Sequence, residues 1–286
     1  MKIYWVIAAA AAFILGFAGR RFYRETTREI KELLTYEPAP REWIVTEEQT
    51  KKLPPPVQRW LRQSGMTGRL NIHTAALKQE GLMRLKPEQV KSFPAEAEQF
   101  ITTDYPSFIW RVKMKMQPGF AVTGRDWYRF GQGEMLIKAA SVFPLVTVRH
   151  NKKANQSTLQ RYLMEMAWYP SAALSPFVSW EAVDDRTAKA VMSYCGCTGE
   201  GIFHFSEEGE LIRLSAYRFR DKEDEEPTEW QAEALEYMTV DGIRMPARVS
   251  VSWVLPEGKF TWYTFSVKDV RLNERRTELI KEMKSR

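Results

Sequence analysis

The stretch FIWRVKMKMQ, residues 108–117, sets apolar side chains at every second position and determines the predicted fold. Successive residues of a β-strand point to opposite faces of a sheet, whereas the apolar face of a helix repeats every 3.6 residues. The period of two therefore predicts a half-buried strand. The apolar face of this strand carries Phe108, Trp110, Val112, Met114 and Met116.

The same alternation recurs on both sides of this stretch. Residues 249–255 alternate in the same way, residues 256–259 (PEGK) form a turn, and residues 260–270 read as the returning strand. Similar strand–turn–strand units along the chain give about ten antiparallel strands, and an open sheet of that size tends to curl. We predict an α+β, mainly antiparallel β fold, in which a curved sheet or half-barrel of about ten strands packs on a few helices.

One helical segment interrupts the strands. Residues 158–174, TLQRYLMEMAWYPSAAL, carry apolar residues at helical spacing, and Pro170 ends the first part of the helix. A helix inserted between two halves of a curved sheet is expected to pack into its concave side. We predict that residues 53–272 form the sheet domain around this helix, and that residues 273–286 form a short helical tail.

The amino terminus is apolar. Residues 3–18 carry no charge and, as a helix, rise about 24 Å, close to a hydrocarbon core of roughly 30 Å. We predict a transmembrane anchor over residues 1–19, followed by a juxtamembrane helix and connector over residues 20–52. This implies a single-pass protein of the bacterial cytoplasmic membrane. Arg20 and Arg21 favour a cytoplasmic side for the rest of the chain, whereas Lys2 and the terminal amine favour the opposite side, so the side stays open. The alternative is a cleaved signal peptide.

Composition limits the classes of partner that are expected. The net charge of +6 comes from basic residues scattered among acids, without a basic stripe or a nucleic-acid motif, so nucleic acid is not expected. Aromatic residues make up 13% of the chain and include 10 Trp, which suit clefts with an apolar and a wet side. Cys195 and Cys197 are read as ordinary turn thiols, because spacing and partners for zinc are missing; a redox pair is the alternative.

Four segments together resemble an uncharacterised family of bacterial proteins, a domain of unknown function. They are LPPPVQRWLRQSG at 53–65, GRDWYRFGQGEM at 124–135, RYLMEMAWYPSAAL at 161–174 and WEAVDD at 180–185. The most specific element is R-Y-L-x-E-x-x-W-x-P, which falls on Arg161–Pro170. The resemblance spans residues 53–272 and implies no established activity. More loosely, the predicted architecture is similar to LolA-type lipoprotein carriers, and fold alone does not fix function.

The candidate binding residues lie on and around the inserted helix. Arg161 and Glu165 stand four residues apart and can pair on one helix face; a structural ion pair is the alternative. Arg161 or Arg218 is expected to orient a polar head group. Trp168 and Tyr169 are candidates for a cleft wall, with core packing as the alternative. Strand residues expected to add aromatic and Met side chains to that wall are Trp110, Met114, Trp253 and Trp262.

No catalytic constellation is evident. Asp184 and Asp185 are adjacent, so in a continuing strand they point to opposite faces, and a turn role fits them better. The three histidines lie far apart, and no nucleophile elbow or phosphate-binding loop occurs. We therefore assign no catalytic residue, metal ligand or cofactor.

Three hypotheses remain. The first is a membrane-anchored, non-enzymatic carrier or binding module for a lipid, a lipoprotein acyl chain or a similar amphiphile. The second is a structural or interaction scaffold at the membrane with a packed interior. The third is an unrecognised hydrolase, which requires Asp126, Asp184 or Glu165 to converge in one pocket and titrate abnormally.

Overall fold

The computed structural model of the protein describes residues 2–36 and 40–282, with side chains for all of these except 2–15, 36, 276 and 282. Within this part of the chain, no helix combines the length and the apolar character needed to cross a membrane. The transmembrane anchor predicted over residues 1–19 is therefore not supported. Most of its side chains lie outside those that the structure describes.

Thirteen strands in the described part of the chain form one antiparallel sheet. The strand bounds are β1 Thr74–Met83, β2 Phe93–Thr102, β3 Ser107–Gln117, β4 Phe120–Arg129, β5 Gln132–Ala139, β6 Phe143–Val148, β7 Val178–Asp184, β8 Thr187–Tyr194, β9 Cys197–Phe205, β10 Leu211–Arg218, β11 Thr228–Val240, β12 Ile243–Leu255 and β13 Gly258–Leu272. The order across the sheet is β6-β5-β4-β3-β2-β1-β13-β12-β11-β10-β9-β8-β7.

The strand order shows an open sheet made of two meanders. β1 pairs with β13, and this pairing joins a first arm, β1–β6, to a second arm, β7–β13. Neighbouring strands of a sheet rotate by about 20–25° relative to each other, so thirteen of them cannot stay flat. The prediction of a mainly antiparallel, curved sheet with a few helices is confirmed, with thirteen strands in place of about ten.

Five α-helices accompany the sheet in the described residues. They are α1 Lys2–Tyr36, α2 Glu47–Thr50, α3 Pro55–Gln63, α4 Lys152–Glu165 and α5 Arg276–Glu282. Two 3-10 helices, Met166–Trp168 and Pro170–Leu174, follow α4 directly. α4 begins before Thr158, because the side chain of Asn151 accepts a hydrogen bond from the backbone N–H of Ala154 and caps the first turn.

The central helix α4 lies in the concave side and contacts both arms of the sheet. It packs on β5 of the first arm and on β9 of the second, with further contacts to β4, β8 and β10. Glycines permit this approach: a Cβ atom on Gly133 of β5 would lie 2.7 Å from the Cβ of Thr158, and one on Gly199 of β9 would lie 2.7 Å from the Cγ of Gln160. The two arms therefore close on α4 from opposite sides.

The second half of α1 covers the convex face. Its apolar side chains Ile30, Leu33 and Leu34 are buried against the outer face of β1–β3. Beneath the helix, Arg111 is 5% exposed, donates hydrogen bonds to Thr27 and Glu98, and lies against the ring of Tyr23. The predicted solvent-facing side of β3 is thus partly buried, since a helix packs over it.

Candidate functional site

A cavity of about 340 Å³ lies between α4 and the concave face of the sheet. Its volume falls within the roughly 300–1,000 Å³ that is usual for small-molecule sites. Side chains of both arms and of α4 reach it, and most are apolar or aromatic. Five of the ten tryptophans are among them: Trp110, Trp168, Trp230, Trp253 and Trp262. The aliphatic and Met part of the wall includes Met83, Val112, Met114, Val122, Met135, Ile137, Val146, Met164, Ala234, Val249 and Val251.

Arg161 is the centre of a charged cluster in one wall of this cavity. Its Nε donates to Glu165 Oε1 at 2.8 Å, and one terminal nitrogen donates to Asp126 Oδ2 at 2.8 Å. The guanidinium also lies 4.7 Å from the ring centre of Trp110 and 5.1 Å from that of Phe108. The three charged side chains are 12–17% exposed, so this is a largely buried ion-pair network.

Two glutamines extend the network into the sheet. Gln99 donates to Glu165, and Gln79 donates to Gln99. The Oε1 of Gln79 accepts hydrogen bonds from the indole N–H of Trp110 at 3.0 Å and from the hydroxyl of Tyr263 at 3.4 Å. These bonds fix the side chains around Arg161, because buried polar groups need partners to offset the loss of water.

Burial and charge act against each other in the cluster. Burial raises the pKa of Asp126, although the charges of Arg161, Arg125 and Arg218 lower it in part. Burial alone would lower the pKa of Arg161, but Glu165 and Asp126 outweigh this, and the pKa of Arg161 is raised. Arg161 therefore stays cationic because both carboxylates surround it.

Arg218, the last residue of β10, also reaches the cavity but has no such partners. One terminal nitrogen donates to the carbonyl of Ser157 at 2.9 Å, and the guanidinium lies 5.0 Å from the ring centre of Trp230. Its Nε is buried without a hydrogen-bond partner. Within the described residues, no carboxylate lies within ion-pair distance of Arg218.

The cavity opens beside two loops. Leu85 of the β1–β2 loop and Arg220, Asp221 and Lys222 of the β10–β11 loop are exposed residues of its wall. The β10–β11 loop is held on α4, where the backbone N–H of Phe219 donates to the hydroxyl of Ser157 at 3.0 Å. Charged side chains of both signs therefore flank one side of the mouth, and the apolar Leu85 flanks the other.

The structure places five of the six predicted binding residues in the cavity wall. They are Trp110, Arg161, Glu165, Trp168 and Arg218. The sixth, Tyr169, is fully buried in the core and donates from its hydroxyl to the carbonyl of Tyr162.

Other candidates from the sequence lie elsewhere. Asp184 is in the exposed β7–β8 turn, where its side chain accepts a hydrogen bond from the backbone N–H of Arg186. This bond is the main cause that lowers the pKa of Asp184. Cys195 and Cys197 are free thiols at the β8–β9 turn, and no histidine belongs to the cavity wall. Among the described residues, no group of three or more potential metal ligands is assembled.

The hydrogen-bond network around Arg161 includes three side chains that the sequence did not predict there: Gln79, Gln99 and Asp126. A signal for the glutamines exists: each occupies an inward position of a strand whose other inward residues are apolar, as with Ala75 and Leu77 in β1. An inward amide on an apolar face indicates a buried hydrogen-bond network. Asp126 likewise lies on the inward face of β4 with Val122 and Tyr128, but its partner lies 35 residues away on another element and could not be predicted.

Comparisons with known proteins place the chain in a family. Residues 51–272 match the model of a family described as a family of unknown function, DUF6920, as the motifs predicted. A solved structure, the LolA superfamily protein from Nitrosomonas europaea, is similar at 10% sequence identity over 78% of this chain and 96% of that chain, with a TM-score of 0.43. A likeness of that size carries no argument about function. A search of curated proteins found no match.

Proposed function

The chain belongs to the family of unknown function DUF6920, and we propose that it binds an amphiphilic, lipid-like molecule in the cavity beside α4. The proposed role is that of a carrier or binding module. The apolar part of the ligand occupies the Trp- and Met-rich chamber, and its polar part lies toward the mouth. Free lipids and acylated proteins both present such an apolar chain.

The observation that carries this proposal is the chemistry of the cavity wall. A chamber of about 340 Å³ is lined mostly by apolar and aromatic side chains, while Arg161 and Arg218 add cationic groups to its wall. Sites of this composition bind molecules that bury an apolar body and are oriented by a few polar contacts. Met side chains add adaptability, which suits chains of varied length.

Direct binding tests the proposal. We expect a brominated hexadecanoic acid, titrated into the full chain stripped of lipid, to quench a large part of the tryptophan fluorescence, since five of the ten tryptophans line the cavity. Unbrominated hexadecanoic acid should reverse the quenching by competition. Mass spectrometry of lipid extracted from the purified protein would identify a natural occupant. Absence of quenching and of extracted lipid would refute the proposal.

A filled cavity should lose this binding. Ala234→Phe places a ring in the chamber, whereas Leu235→Phe adds one at the next residue, which is 48% exposed and outside the cavity. Each methylene excluded from the chamber costs about 0.8 kcal/mol, so exclusion of two weakens binding about tenfold. The expected result is a weaker quenching affinity for Ala234→Phe alone. Equal affinities of both variants and wild type would place the ligand elsewhere.

Hydrolysis is the second candidate, because Asp126 and Glu165 converge on one cavity and the pKa of Asp126 is raised. The geometry argues against it. Both carboxylates accept hydrogen bonds from Arg161, which lies between them, so neither is free to activate water. Ester hydrolysis by the purified protein that is abolished in Asp126→Asn would favour this candidate over the carrier.

A further inference from the structure

Two arginines of the cavity wall differ in how their charge is balanced. Arg161 is bound by Asp126 and Glu165 together, so both carboxylates of the cluster are committed to one cation. The charges of Arg161, Glu165 and Asp126 act on the pKa of Arg218, yet no carboxylate of the described chain lies within ion-pair distance of it. At Arg218 the wall therefore presents a positive charge that no carboxylate of the described residues pairs with.

The surroundings of Arg218 disfavour the charged form of its guanidinium. Burial, followed by the charge of Arg161, lowers the pKa of Arg218 to about 9. The backbone carbonyl of Ser157 and the ring of Trp230 hold the guanidinium in place, while its Nε lacks a hydrogen-bond partner. A guanidinium held in this way offers donors in a fixed fork that matches a carboxylate or a phosphate.

We propose that Arg218 binds the oxyanionic head group of the ligand, so that the ligand is a carboxylate or phosphate on an apolar chain. This inference rests on the proposed function and names the class of amphiphile that the cavity takes. An anion beside Arg218 supplies the missing ion pair, which the neutral carbonyl of Ser157 does not.

The position of Arg218 also fixes the orientation of the ligand. β10 ends at Arg218, and the exposed Arg220 and Lys222 of the next loop lie at the mouth. The apolar walls formed by Val112, Met114 and other side chains of the first arm line the rest of the chamber. The head group consequently lies at Arg218 toward the mouth, and the chain points inward.

Binding of three matched probes tests the inference. Hexadecanoic acid, hexadecyl phosphate and hexadecanol share one chain and differ in the head group, and each is measured by competition against the brominated acid. We expect wild type to bind either anion more tightly than hexadecanol. Arg218→Met keeps the length and bulk of the side chain and removes its charge. It should lower the affinity for the anions about ten- to a hundredfold, the usual loss for a charged hydrogen bond, and leave hexadecanol unchanged.

Arg248→Met is the control, since it removes a cation of the same sheet that is 48% exposed and outside the cavity. Its effect on anion affinity should be small and vanish at high salt. If none of the probes binds wild type, the proposed function itself fails. If all bind and Arg218→Met leaves the ratio of acid to alcohol affinity unchanged, only the inference about Arg218 fails. Comparison of the two anions identifies the head group.

Discussion

Arg161→Met is expected to lower the free energy of unfolding by about 3–5 kcal/mol at neutral pH, the usual loss when one partner of a buried ion pair is removed. The substitution keeps an unbranched side chain of similar length. It leaves Asp126 and Glu165 facing one cavity without the cation that both now contact at 2.8 Å. It also removes the guanidinium from the rings of Trp110 and Phe108. Urea denaturation of the full chain followed by circular dichroism measures the loss.

The loss should depend on pH in a defined direction. Without Arg161 the largest charge that lowers the pKa of Asp126 is lost while burial still raises it, so this pKa lies above that in the unfolded chain. The folded variant then binds protons more readily, and its stability deficit shrinks as the pH falls from about 7 to about 5. If the stability lost in Arg161→Met is constant over this pH range, the loss comes from packing and not from unbalanced charge.

Two variants serve as controls for Arg161. Asp126→Asn keeps the shape of the side chain, and since burial already raises the pKa of Asp126, loss of its charge should cost less than loss of Arg161. Arg218→Met removes a partly buried cation that has no ion pair in the described chain, so stability of the unliganded protein should not fall. If Arg161→Met is as stable as these two, Arg161 does not hold the cluster together.

The contrast between Arg161 and Arg218 separates stability from binding. A protein that only needed a stable core would have an apolar residue at position 218, because an unpaired buried cation opposes folding. Such conflicts between local stability and side-chain choice are typical of binding sites. The expectation that Arg218→Met weakens binding without destabilising the protein follows from this conflict.

Periodicity in the sequence was sufficient to predict the sheet, and the turns were sufficient to predict its antiparallel order. In β3 the alternating side chains occupy the faces that the pattern indicates, with Trp110 and Met114 toward the cavity. The sequence predicted fewer strands than the structure contains. For example, it did not predict β6, because Pro144 argues against a strand. β6 tolerates this proline because it is the edge strand and has a neighbour on one side.

The site could be predicted only in part from the sequence. The Arg161–Glu165 pair is local, since residues four apart on a helix share one face, and that spacing suffices to predict it. Asp126 joins the pair through tertiary structure, as β4 passes opposite α4. The unpaired state of Arg218 likewise depends on what surrounds it after folding. Periodic patterns specify faces, whereas charge balance within a cavity requires the positions of elements far apart in sequence.

Gly133→Ala is expected to lower the free energy of unfolding by about 1–3 kcal/mol, the usual range for overpacking. An added Cβ would lie 2.5 Å from Thr158 Oγ1, 2.7 Å from Thr158 Cβ and 3.0 Å from the carbonyl oxygen of Ala154. Rotation of the Thr158 side chain can move its Oγ1 but not its Cβ or the carbonyl oxygen of Ala154, so the contact cannot be relieved in this way. The helix must move away from β5, which also disturbs the hydrogen bond from Gly133 N–H to Asn155 Oδ1.

A double-mutant cycle isolates this contact. Thr158→Gly removes two of the three close atoms, at a cost of about 1 kcal/mol for a glycine within a helix. Gly133→Ala should then cost less in the Thr158→Gly background than in wild type. Gly124→Ala in β4 is the matched control, because the nearest atom to its added Cβ is a methyl of Val112 at 3.0 Å, which a small side-chain shift can move. Equal costs in both backgrounds would mean that close packing of β5 on α4 is not what Gly133 provides. Because Ala154 and Thr158 also line the cavity, the displaced helix of Gly133→Ala should weaken binding of the brominated acid as well.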